Sequence, residues 1–159
     1  MKIFARRRVL VVDDNAHART FLAQILGAVD VEVVQAETGH QALIMLRSAG
    51  VHAVILDMFM TPMDGIALAR AIRASDLAAI ASLPIVMASA QASREVVQGA
   101  VAAGVSGFIA KPFSPAAVLK SLAKALEGPP PAARRAATGQ AAPVVAAAPG
   151  SSDQSSTYL

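Results

Sequence analysis

Four short apolar runs, each stopping on a polar residue, set the limits on what this chain can fold into. Val9-Leu10-Val11-Val12 stops at Asp13-Asp14, and Ala53-Val54-Ile55-Leu56 stops at Asp57. Ile85-Val86-Met87-Ala88 runs into Ser89, and Gly107-Phe108-Ile109-Ala110 ends at Lys111-Pro112. A run of this length is too short for a buried helix and suits a strand covered on both faces, as in a parallel sheet. Val31 to Ala36, where Val31 and Val33 alternate, adds a further strand.

The segments between the runs carry helical signals. Asn15 is placed to cap a helix with Phe21, Leu22, Ile25 and Leu26 on one face. Thr38 is placed to cap a second, with Ala42, Leu43 and Leu46 inward and a stop at Ala49-Gly50. Thr61-Pro62-Met63-Asp64-Gly65 has the composition of a loop, and Ile66, Leu68, Ala69 and Ile72 mark a third helix after it. A weak, Ala-rich fourth spans Ala92 to Ala103 and is closed by Gly104. Ser114-Pro115 opens a fifth, with Val118, Leu119, Leu122 and Leu126 on its inner face. Strand and helix therefore alternate five times up to Glu127, which predicts an α/β domain with helices on both faces of a parallel sheet. In residues 128–159, 21 of 32 are Ala, Pro, Gly or Ser, and the expectation is a disordered or semi-extended tail.

Hydrophobic residues make up 55% of the 159, enough for a core, and charged residues 16%. The absence of Cys excludes disulfide scaffolds, thiolate metal sites and Cys nucleophiles. The net charge of +3 belongs to the ends, because Lys2, Arg6, Arg7 and Arg8 crowd the first eight residues. From Val9 to Glu127, 8 Lys and Arg face 10 Asp and Glu, so the body is mildly acidic. That argues against a basic face built for a nucleic-acid backbone. The uncharged stretch from Leu77 to Ser93 is interrupted by Ser82, Pro84, Ser89 and Gln91, and no membrane span is expected. With no signal peptide legible, the expected location is the cytoplasm.

In an open parallel sheet, function gathers at the carboxyl ends of the strands. Here those ends deliver Asp13, Asp14, Asp57, Ser89 and Lys111 to one edge. Two carboxylates ~5 Å apart repel by about 3 kcal/mol at an effective dielectric of ~20. The group needs a cation, and hard oxygen ligands with room for water favour Mg²⁺ or Mn²⁺. A divalent ion together with Lys111 neutralises the three carboxylates. One carboxylate is then free to attack a phosphoryl group, with Ser89 placed to bond a phosphoryl oxygen.

Leu10-Val11-Val12-Asp13-Asp14, Leu56-Asp57 with Pro62-Met63-Asp64-Gly65, Ala88-Ser89-Ala90 and Lys111-Pro112-Phe113 stand in an order that resembles the receiver domain of two-component response regulators. The resemblance covers roughly residues 7–127, so residues 1–127 are read as a receiver domain and 128–159 as the tail. It implies a flavodoxin-like doubly wound fold of five strands in the order 2-1-3-4-5. It also implies Asp57 as phosphoryl acceptor and Asp13, Asp14, Asp57 and the main-chain carbonyl of Phe59 as the Mg²⁺ site. Ser89 and Lys111 resemble the phosphoryl-sensing pair, and Phe108 the switch aromatic. Phe59 and Gln91, two residues beyond Asp57 and Ser89, are expected to tune hydrolysis. The implied partners are a histidine kinase or phosphotransfer protein and an output protein the sequence does not name. Contacts run through the fourth helix, strand five and fifth helix, including Lys120 and Lys124. Dimerisation on phosphorylation stays open, and residues 128–159 cannot form a DNA-binding domain.

Two enzyme-like or carrier readings compete. An aspartyl-phosphate phosphatase of the haloacid dehalogenase type needs a second Asp where this chain has Phe59, and it has no use for Asp13-Asp14. A flavin carrier of the same fold needs a Ser/Thr/Gly-rich loop where Asp13-Asp14-Asn15 stands. Met58, Met60 and Met63 read as packing residues, and His17, His40 and His52 as surface or turn residues. Arg6-Arg7-Arg8 and Arg134-Arg135 read as solvated charge in flexible ends. Their open alternative is an anion site for a nucleotide second messenger or an acidic partner surface.

Overall fold

A computed structural model describes residues 2–128. A turn of 3-10 helix, Lys2–Phe4, precedes strands β1 (Arg8–Val12), β2 (Glu32–Ala36), β3 (Ala53–Asp57), β4 (Ile85–Ser89) and β5 (Gly107–Ala110). The helices are α1 (Ala16–Gly27), α2 (Gly39–Leu46), α3 (Gly65–Arg73), α4 (Ala78–Ala81), α5 (Arg94–Ala102) and α6 (Pro115–Glu127). All strand pairs are parallel, in the order β2-β1-β3-β4-β5. This is the flavodoxin-like doubly wound sheet.

The strands are apolar without interruption because alternate residues enter two different cores. On β1, Val9 and Val11 join Phe4, Leu22, Leu26, Val118 and Leu122 on one side of the sheet. Leu10 and Val12 join Ala42, Leu68, Ile72 and Ala100 on the other. Strand β3 splits in the same way, Ile55 to the first core and Val54 and Leu56 to the second. Helices α1 and α6 thus cover one face and α2 to α5 the other.

Five of the helices begin on a side chain that accepts the N–H three residues on: Asn15, Thr38, Asp64, Ser93 and Ser114. Each cap satisfies one of the amide groups that a helix start leaves unpaired. The one-turn α4 has no such cap, and neither its start nor its existence is signalled in the sequence.

Several sequence expectations need correction. Arg6 is exposed, as expected of solvated charge, but Arg7 and Arg8 do not lie in a flexible end. Phe4 is fully buried in the core beneath α1 and α6, and Arg7 Nε donates to the Ile3 carbonyl at 3.0 Å. Arg8 bonds the Ala49 carbonyl and lies 3.0 Å from Glu32, so the segment is packed onto the sheet. Phe21, expected on the inner face of α1, is 40% exposed. Helix α2 stops at Leu46 rather than Ala49, because Arg47 and Ser48 turn back onto the carbonyls three residues earlier. Helix α5 starts at Arg94, after its Ser93 cap, and not at Ala92. The expected tail, Gly128 apart, and Arg134-Arg135 lie outside the described residues. Among the described residues no helix is long and apolar enough to cross a membrane.

Candidate phosphoryl-accepting site

The strand order reverses at β1, which has β2 on one side and β3 on the other. A crevice therefore opens past the carboxyl ends of β1 and β3. Asp13, just beyond β1, is 2% exposed, and Asp57, the last residue of β3, is 6% exposed. Asp14 faces solvent. Each of the three carboxylates offers an oxygen, and these oxygens lie within 4.8 Å of one another.

Lys111 enters from the end of β5. Its Nζ lies 3.0 Å from Asp13 Oδ2 and 2.9 Å from Asp57 Oδ1. One ammonium thus ties together the ends of three strands, and it also sits 5.7 Å over the ring of Phe113. The other oxygen of Asp13 accepts the Asn15 N–H at 2.9 Å. Burial pushes the Asp57 carboxyl above its usual range; Asp13 and Asp14 add to this, and the Lys111 bond opposes it without prevailing. Burial alone pulls Lys111 down, yet its bonds to Asp57 and Asp13 and their charges outweigh that, so it is held above its ordinary value. Three carboxylates and one ammonium leave a surplus of negative charge on all-oxygen donors, which fits a hard divalent cation.

Ser89 ends β4 between these groups and is 1% exposed. Its hydroxyl accepts the Gln91 N–H at 3.0 Å, so the oxygen bonds local backbone. Gln91 is exposed, and Phe59 is 49% exposed between the buried Met58 and Met60. Phe108 is half-buried against the α2–α5 core and is not part of the carboxylate cluster. His17, His40 and His52 are exposed, as expected of surface residues, although His52 Nδ1 accepts the Arg8 N–H at 3.0 Å.

Two contributors escape a reading of the sequence alone. Arg19 on α1 donates to the main-chain carbonyl of Asp13 at 2.7 Å and to Gln35 Oε1 on β2 at 3.0 Å. Gly65, the first residue of α3, packs against the end of β3. A Cβ there would lie 2.4 Å from the Asp57 carbonyl oxygen and 2.9 Å from Met58 Cα. Both are backbone atoms and cannot swing away, so α3 reaches the site only without a side chain at its start. Gly65→Ala should destabilise the domain by about 1–3 kcal/mol through overpacking. Thermal unfolding checks this, and a variant as stable as wild type would show that the helix start can shift freely.

The response regulator receiver domain family matches residues 9–123. The chain is 32% identical over 121 residues to the chemotaxis protein CheY of Pseudomonas aeruginosa, covering 76% of this chain and 96% of that protein. It is 36% identical over 121 residues to the chemotaxis protein CheY-3 of Vibrio cholerae, covering 76% and 92% respectively. Among solved structures, the Vibrio cholerae chemotaxis protein CheY4 superposes with a TM-score of 0.70 at 32% identity, over 74% of this chain and 97% of that one. The strand order, the acidic edge of the sheet and these matches lead to one conclusion: the chain belongs to the response regulator receiver domain family of two-component systems.

Proposed function

We propose that Asp57 accepts a phosphoryl group from a histidine kinase or phosphotransfer protein, in a reaction that depends on Mg²⁺ or Mn²⁺, and that the domain signals through protein contacts. The observation that carries this reading is the pair of ion pairs from Lys111 to Asp13 and Asp57, with Asp14 beside them. Asp13, Asp14, Asp57 and the main-chain carbonyl of Phe59 would hold the divalent ion. Bound there, it would supply positive charge to the oxygens of the transferring group. Lys111 supplies the same from the other side. Asp57 is the nucleophile because, among the described residues, its carboxylate is held by Lys111 alone, whereas both oxygens of Asp13 are taken. A phosphoryl group on Asp57 presents new acceptor oxygens. Ser89 would turn from Gln91 to one of them and draw the loop after β4 inward, and Phe108 would follow into the space released. The face formed by α5, β5 and α6, with Lys120 and Lys124, would then meet the output protein.

Acetyl phosphate with Mg²⁺ should add one phosphoryl group per chain, and a chelator should prevent it. Labelling that survives chelation would contradict the metal-dependent reading. Phe59, exposed two residues past Asp57, would obstruct the attacking water, and Gln91 would orient it. Phe59→Asn should therefore change the rate of dephosphorylation several-fold and leave Mg²⁺ affinity nearly unchanged, because any metal contact there is through main chain. An unaltered decay rate would remove Phe59 from the account.

A further inference from the structure

Among the described residues no hydrogen bond or ion pair reaches the exposed Asp14 carboxylate, although it belongs to the acidic cluster. Asp13, by contrast, is held at every polar atom. Its N–H donates to the Ala36 carbonyl at 3.2 Å, one carboxylate oxygen accepts from Asn15 and the other from Lys111. Its carbonyl accepts from Arg19 Nη1 at 2.7 Å. That carbonyl belongs to the peptide plane joining Asp13 to Asp14, so fixing it fixes the direction in which the Asp14 chain leaves β1. Arg19 is itself anchored through Nε to Gln35 on β2, so the plane is braced against the sheet and not only against the loop.

We infer that Arg19 is a positioning residue for the metal site, acting through the Asp13–Asp14 peptide to aim Asp14. The inference rests on the proposed Mg²⁺ site. Groups that orient metal ligands from behind typically change affinity about 10-fold or more when removed. The positive charge of Arg19 gives the idea a distinctive sign. A cation near a metal site opposes a second cation, so deleting a guanidinium that acted only by charge would tighten Mg²⁺ binding. Deleting one that positions Asp14 weakens it. Lys keeps the charge but is a compact point donor and cannot span the carbonyl and Gln35 as the planar fork does.

Calorimetric titration with Mg²⁺ alone, on wild type, Arg19→Lys, Arg19→Ala and Gln35→Ala, tests this. Melting temperature in chelator is measured alongside. The expected result is a dissociation constant about 10-fold weaker in both Arg19 variants and a few-fold weaker in Gln35→Ala. The loss should appear even where the metal-free melting temperature stays close to wild type. Wild-type affinity in Arg19→Lys, or tighter binding in Arg19→Ala, overturns the inference while leaving the metal site intact. Should the Arg19 variants not fold, an unchanged constant in Gln35→Ala overturns it and a weakened one supports it. No saturable binding by wild type overturns the metal reading itself, and this inference with it.

Discussion

Phe4→Ala should remove about 3–5 kcal/mol of stability, the range for truncating a fully buried aromatic in a packed core. Phe4 is fully buried and packs with Val9, Leu26, Val118 and Leu122. It ties the N-terminal turn into the core that lies between the sheet and helices α1 and α6. A domain of this size typically has a stability of about 5–15 kcal/mol, so the loss is a large fraction of the whole. Urea unfolding of wild type and Phe4→Ala measures it directly. A difference under about 1 kcal/mol would show that the N-terminal turn merely rests on the domain.

Asp57→Asn should abolish phosphoryl uptake and, in chelator, make the protein more stable. Both follow from one buried carboxylate. Burial disfavours the Asp57 charge most, and the carboxylates of Asp13 and Asp14, with oxygens within 4.8 Å, add repulsion. The bond and the charge of Lys111 oppose these influences without prevailing, so the neutral amide is favoured. The gain should be on the order of 1 kcal/mol, a rise of roughly 2–8 °C in melting temperature.

The pH dependence fixes the sign. The folded protein holds the Asp57 proton to higher pH than the unfolded chain, whose value is near 3.8. Ionisation therefore costs nothing below that value and costs its full amount once pH has passed the raised folded value. Wild-type stability should fall through this window relative to Asp57→Asn, and the gap should stay level once pH has passed the raised folded value. Lys111 contributes the opposite sign at neutral pH. Its stabilisation is complete below the ordinary value of 10.5 and is lost as pH rises through its raised folded value. Parallel pH profiles for the two proteins would contradict the burial and repulsion assigned to Asp57.

The sheet was legible because burial on both faces leaves β1, β3 and β4 as unbroken apolar runs, the strongest strand signal a sequence carries. The acidic edge was legible for a related reason. Parallel strands all end at the same edge, so Asp13, Asp57, Ser89 and Lys111 meet without any knowledge of loop geometry. What was hidden depends on the third dimension. Phe4 is a single aromatic in a basic stretch, with no period to mark it as core. Helix α4 is a single turn without a capping side chain. Phe21 follows the apolar spacing of α1 yet turns towards Phe113, with ring centroids 6.3 Å apart, because the β5–α6 loop offers it an aromatic partner. Arg19 bonds a main-chain carbonyl, and no residue pattern announces such a contact. The Gln91 amide on Ser89 is local backbone geometry of the same kind.

The most direct test of the account is intact mass after acetyl phosphate treatment in Mg²⁺, with wild type and Asp57→Asn side by side. The charge cluster predicts one added phosphoryl group on wild type, none on the variant, and none on either protein in chelator. Equal labelling of the two proteins would place the acceptor elsewhere and contradict the assignment of Asp57.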